Sequence, residues 1–147
     1  VQERISAGDI YQANLTFPCE VPVAGDPRAV YAGLRRRAQA PYGALIWTGE
    51  DWLLSLSPEL FFTREGNRLT AQPMKGTASP DDDPALLRDD PKERAENLMI
   101  VDLLRNDLSR VAVPGSVTVP DLFKVEQFPT VQQMVSTVTA ELAAGQD

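Results

Sequence analysis

The chain has 147 residues, 43% hydrophobic and 24% charged, enough for one compact domain with its own core. Its net charge of -7 and pI near 4.6 argue against nucleic acid or an anionic membrane as a partner. Histidine is absent, which excludes Ser-His-Asp and Cys-His catalysis within the chain and zinc sites built on imidazole, so acid–base chemistry falls to carboxylates, lysine, tyrosine or a bound cofactor.

Residues 1 to 16 read as helical, with an interruption near Gly8-Asp9. Thr16 to Val21 then alternates like a strand, and Cys19 within it has no second cysteine for a disulfide, which fits a cytoplasmic protein. Asp26 as cap and Pro27 at the first helical position open a second helix, with Val30, Leu34 and Ala38 inward and Arg35, Arg36 and Arg37 a solvated face. Tyr42 to Thr48 and Trp52 to Leu56 follow as strands joined at Gly49-Glu50-Asp51, and then Leu60 to Arg64 and Arg68 to Gln72 as a hairpin. Helices before and after an antiparallel meander make the fold class α+β. Gln72 to Ala78, with its Lys75-Gly76-Thr77, lacks the earlier glycine of a phosphate loop and reads as no nucleotide site. Ser79 to Asp90 is an acidic, proline-punctuated surface loop. After the long helix come strands near Ser116 to Val119 and Leu122 to Phe128, and a last helix over Val131 to Leu142.

That long helix is signposted by Asp90 as cap, Pro91 at its first position and Glu93 completing a capping box, and it runs from Lys92 to Leu108 without Gly or Pro. Leu98, Met99, Ile100, Val101, Leu103, Leu104 and Leu108 point almost all the way round it, the pattern of a buried helix. Asp102, Arg105, Asn106 and Asp107 then read as a buried network pinning it to its neighbours. Glu93, Glu96 and Asp107 share a face, an arrangement suited to a hard divalent cation such as magnesium, although acidic residues in a first turn also complement the helix dipole.

No apolar run is long enough to span a bilayer and no signal peptide opens the sequence. The start at Val1 and the end at Gly145-Gln146-Asp147 lead to the expectation that the chain is a piece of something longer.

Taken together, the segments Ala7 to Leu15, Ser57-Pro58-Glu59-Leu60-Phe61, Pro73-Met74-Lys75-Gly76-Thr77, Glu93 to Asp107 and Val131 to Ser136 resemble the chorismate-utilising enzymes, and within them the aminodeoxychorismate synthase component I branch. The resemblance covers nearly the whole chain. It implies part of an α/β/β/α sandwich of facing antiparallel sheets covered by helices, a single chorismate-binding domain over residues 1–147 that lacks the family's N-terminal portion and its C-terminal catalytic segment. It implies amination of chorismate to 4-amino-4-deoxychorismate in 4-aminobenzoate and folate biosynthesis, with ammonia from a glutamine amidotransferase subunit or fused domain. The alternatives are anthranilate synthase component I and a folded piece inactive alone.

By this resemblance Lys75 is the nucleophile, which must attack as the free amine, and Glu59 is the general acid that protonates the departing hydroxyl. Glu96 matches the magnesium ligand, with Glu93 beside it. Gly76, Thr77, Gln133 and Ser136 match substrate-lining positions. The lysine is the discriminating detail, because anthranilate and isochorismate synthases usually carry alanine there. Gln133 departs from the histidine of many relatives, and an amide hydrogen-bonds substrate but shuttles no proton near neutral pH.

Overall fold

The structure, a computed structural model, describes residues 1–10 and 12–146; Tyr11, within the first expected helical stretch, and Asp147 lie outside the described residues. The first helix, α1 (Gln2–Ser6), is much shorter than the sequence suggests. Thr16 to Val21 forms no strand and Cys19 is exposed, because alternation alone gives a segment no neighbour to bond with. Helix α2 (Pro27–Ala38) begins as expected, with the Asp26 carboxylate accepting from the Arg28 amide at 2.9 Å and Pro27 at the first position. The same carboxylate grips the Arg28 guanidinium, which holds it below the usual carboxylate range.

The buried residue of α2 is Tyr31, while Leu34, expected inside, is exposed. Tyr31 lies against the hairpin of β1 (Tyr42–Trp47) and β2 (Trp52–Ser57), where a Cβ on Gly43 would come 2.5 Å from its hydroxyl oxygen. This hairpin is a two-stranded sheet of its own. The single meander expected from residues 42 to 72 is therefore divided, because β3 (Leu60–Glu65) and β4 (Arg68–Gln72) belong to a second, five-stranded antiparallel sheet with β5 (Met74–Ala78).

Between β5 and the next strand lie α3 (Pro84–Asp89), capped by Asp83 inside what reads as a loop, and α4 (Pro91–Ser109). Asp90 caps α4 by accepting from the Lys92 and Glu93 amides at 2.8 and 2.9 Å. The reciprocal half of the capping box is absent. The Asp90 amide donates to Leu87 instead, which leaves the Glu93 carboxylate free for other contacts.

The sheet is completed by β6 (Thr118–Gln127) and β7 (Gln132–Glu141). The last helix expected over Val131 to Leu142 is thus a strand, and it is the central one, paired with β6 along one edge and with β4 and β5 along the other. Apolar residues at Val131, Met134, Val135, Val138 and Leu142 imitate a helical spacing. Burial on both faces removes the alternation that marks a strand, and the β-branched Val135, Thr137, Val138 and Thr139 suit extended backbone. Met134 and Val138 are wholly buried, and Leu69, Ala112, Ala140 and Leu142 form a core cluster at the far end of β7.

Helix α4 lies on β7 and β5, but only Asn97 and Val101 along it are buried. Leu98 and Leu103 are about half exposed, so the helix expected to be covered all round is covered on one side. The expected buried network is accordingly an exposed ion pair within the helix, Arg105 to Asp102 at 2.8 Å, with Asn106 and Asp107 also exposed. No helix among the described residues is long and apolar enough to cross a membrane. Truncating Met134 to alanine is expected to destabilise the chain by about 2–5 kcal/mol through lost burial and a residual cavity. Urea denaturation followed by circular dichroism checks this, and an unshifted midpoint would remove β7 from the core.

Candidate functional site

The strands β4 and β5 act as one continuous partner of β7. Ala71 faces Val138, the Ser136 amide donates to the Pro73 carbonyl at 3.1 Å, and Met74 faces Val135. The register then slips by a residue, so that Thr77 faces Gln133. The extra residue makes a bulge, which bends a strand and re-aims its side chains. Lys75 and Gly76 are that bulge.

Gly76 has φ +90, in the region that side chains disfavour. A Cβ there would also lie 3.1 Å from Glu93 Cβ, Glu93 Oε2 and Leu87 Cδ1. Glycine therefore lets the first turn of α4 come against the strand beside Lys75. On the other side of Lys75, the Met74 amide donates to Glu59 Oε1 at 3.3 Å. The neighbours of Lys75 on both sides thus each touch a glutamate side chain, and Lys75 itself is half-buried. Glu59 and Thr77 are exposed, which leaves this group open to solvent.

Glu93 and Glu96 converge on one ammonium. Lys92 Nζ lies 2.9 Å from Glu93 Oε1 and 3.2 Å from Glu96 Oε1, and both carboxylates are mostly buried. The hydrogen bond to Glu93, then that to Glu96, raises Lys92 above the usual lysine value. A raised value means that Lys92 contributes its charge to the interaction throughout the neutral range and loses it only as the pH climbs through the folded value. Asp107 does not join them, and no group of three potential metal ligands occurs among the described residues. Two carboxylates suit magnesium nonetheless, because that ion takes one or two and keeps water or substrate oxygens for the rest.

Across the β5–β7 pair, Gln133 Nε2 donates to Thr77 Oγ1 at a long 3.5 Å, which brings these two expected substrate positions together. Ser136 is not with them. It is wholly buried, donating its hydroxyl proton to Asn97 Oδ1 at 2.6 Å and accepting from the Phe123 amide at 3.1 Å. Asn97 and Phe123 carried no role in the sequence reading. The signal for Asn97 was its place between Glu93 and Val101 at helical spacing, on the face that meets the sheet. Clefts of about 420 Å³, lined by Asn67, Arg68, Ser116 and Glu141 among others, and about 250 Å³, lined by Phe62, Leu69, Leu108 and Leu142 among others, lie elsewhere and include none of the expected site residues.

The mix of helices and antiparallel sheet agrees with what the comparisons find. The chain belongs to the chorismate binding enzymes, whose family profile matches residues 1–147. Among its relatives, aminodeoxychorismate synthase component 1 of Salmonella typhimurium is 45% identical over 97% of this chain and 33% of its own length. Anthranilate synthase component 1 1 of Haloarcula marismortui is 42% identical over 99% of this chain and 31% of its own. The crystal structure of anthranilate synthase component I from Streptococcus pneumoniae superposes with a TM-score of 0.73 and 31% identity, covering 84% of this chain and 28% of that one. The chain therefore spans about a third of the length of these curated relatives.

Replacing Gly76 by alanine is expected to cost about 1–3 kcal/mol of stability, from backbone strain at a positive φ. The added Cβ must also push Glu93 or Leu87 aside. Thermal or urea unfolding of the variant measures the cost, and an unchanged unfolding free energy would mean that the close approach is not a constraint.

Proposed function

We propose that this chain is the chorismate-binding part of an enzyme that aminates chorismate to 4-amino-4-deoxychorismate, in the cytoplasmic synthesis of 4-aminobenzoate for folate. The observation that carries the reading is Lys75 in its bulge, between the Met74 amide bound to Glu59 and the Gly76 that admits Glu93. The similarity to a protein named aminodeoxychorismate synthase component 1 supports it, and the word component supports a partner that delivers ammonia, proposed to be a glutamine amidotransferase.

In this reading the free amine of Lys75 forms a C–N bond to the chorismate ring as the ring C–O bond to the hydroxyl breaks. Glu59 gives its proton to the departing oxygen, which leaves as water. Ammonia then forms the new ring C–N bond as the bond to Lys75 breaks, the free amine returns, and the proton shed by the new ammonium restores the Glu59 acid. The balance is chorismate plus ammonia giving aminodeoxychorismate plus water. Glu96 and Glu93 would hold magnesium, which when bound neutralises the ring carboxylate and helps orient the substrate. Gly76, Thr77 and Gln133 line the substrate, with Gln133 donating hydrogen bonds from its amide.

The anthranilate synthase reading is disfavoured by Lys75, since that reaction needs no lysine nucleophile, and by Gln133, which is no proton acceptor for the aromatising elimination. The product separates the two: aminodeoxychorismate keeps its enolpyruvyl group, whereas anthranilate formation releases pyruvate. Assayed with chorismate, ammonia and magnesium, the whole protein that carries this chain is expected to turn over chorismate, while residues 1–147 alone show little. Lys75→Ala is expected to abolish most turnover yet still bind chorismate, and Glu59→Gln to lose about 10²–10⁴-fold in kcat. Mass spectrometry should find a chorismate-derived adduct on Lys75 in the active protein. Near-normal rates in Lys75→Ala would sink the nucleophile assignment, and pyruvate release would transfer the protein to the anthranilate reaction.

A further inference from the structure

We infer that Asn97 and Ser136 are positioning residues that, with Phe123 and Arg94, fix the rotation of α4 and so aim Glu93 and Glu96 at the Lys75 bulge. The inference rests on the functional reading above. It moves Ser136 from contact with substrate to support beneath the site.

Sequence places the two carboxylates and the two anchors alternately in little more than a turn of helix: Glu93, Arg94, then Glu96, Asn97. Asn97 is wholly buried, with Nδ2 donating to the Met134 carbonyl at 3.2 Å and Oδ1 accepting from Ser136 Oγ at 2.6 Å. The Ser136 hydroxyl in turn accepts the Phe123 amide at 3.1 Å. Phe123 stands in a bulge of β6, where the register shifts between Asp121 and Lys124, and has φ 60. A bulky residue rarely adopts that conformation, and it persists where its surroundings over-determine it. Its surroundings are the Ser136 hydroxyl at its amide and the Arg94 guanidinium 4.6 Å from its ring centroid. Both anchors of α4 thus converge on one strained residue.

Area alone does not call for this arrangement, since apolar side chains of similar size would bury the helix equally well. What directional bonds add is angle. Consecutive helix positions differ by 100°, so a modest rotation of α4 would swing Glu93 away from Gly76 and carry Glu96, which shares the Lys92 ammonium with it, out of place as well. Apolar packing tolerates small rotations, whereas a 2.6 Å hydrogen bond between buried groups does not. A site that depends on the distance between a strand amine and helix carboxylates has a use for that stiffness.

The test uses the whole protein that carries this chain, with Ser136→Ala, Asn97→Leu and the pair, each assayed well below its own melting temperature. Each single change is expected to lower kcat for chorismate with ammonia at least about tenfold in fully folded protein, with KM changed much less, as for a displaced catalytic group. The pair should lose less than the product of the two single losses, because the Ser136–Asn97 bond is common to both, while each variant also loses a bond of its own, to the Met134 carbonyl or from the Phe123 amide. The rise in melting temperature that magnesium produces should shrink in all three. Lower melting temperatures with kcat and the magnesium response both unchanged would make the network merely structural and overturn the inference. A parent protein inert towards chorismate would sink the functional reading itself, a result visible before any variant is compared.

Discussion

The site depends on one close approach, that of the first turn of α4 to the bulge at Lys75 and Gly76. Only a glycine, at positive φ and without a Cβ, leaves room for Glu93 and Leu87 there. The bulge exists because β5 slips by a residue against β7 after holding its register through Pro73 and Met74. Strand pairing, helix docking and the placing of Lys75 in a bulge are therefore one constraint expressed three times. A residue that filled the gap would disturb all of them.

Charge is arranged around the same point. Asp90 caps α4 with both its first amides satisfied, and the Glu93 carboxylate, not needed to complete the cap, meets Lys92 and lies against Gly76. Lys92 binds Glu93 and Glu96 together, which shows that the two carboxylates sit close enough to serve one cation. The lysine is itself well exposed, so solvent screens the pair and its contribution to stability is small. Its interest is geometric. Farther along α4 the ion pair of Asp102 and Arg105 is a surface contact, although the sequence presented it among leucines and valines.

Much of the architecture was legible from local signals. Asp26, Asp90 and the prolines after them placed two helix starts correctly, because capping is short-range chemistry. The hairpins at Gly49 and Gly66 were legible for the same reason. Val131 to Leu142 was not, since a strand buried on both faces has no alternation to read, and its apolar spacing imitates a helix. Thr16 to Val21 failed in the opposite sense: it alternates, yet nothing pairs with it. The burial of α4 was overestimated, because periodicity reports which faces are apolar and not which are covered.

Residue identities alone determined the chemistry on offer: no imidazole, one cysteine, and a lysine and several carboxylates carried in motifs whose order matches a known family. Tertiary structure decided which of those groups meet. It brought Glu59 to the amide before Lys75 and Glu93 to the glycine after it, and it withdrew Ser136 into the interior with Asn97. The physical reason is that caps and turns are encoded within a few residues, whereas these contacts join segments far apart in the chain and exist only once β7 has aligned the strands on either side of it.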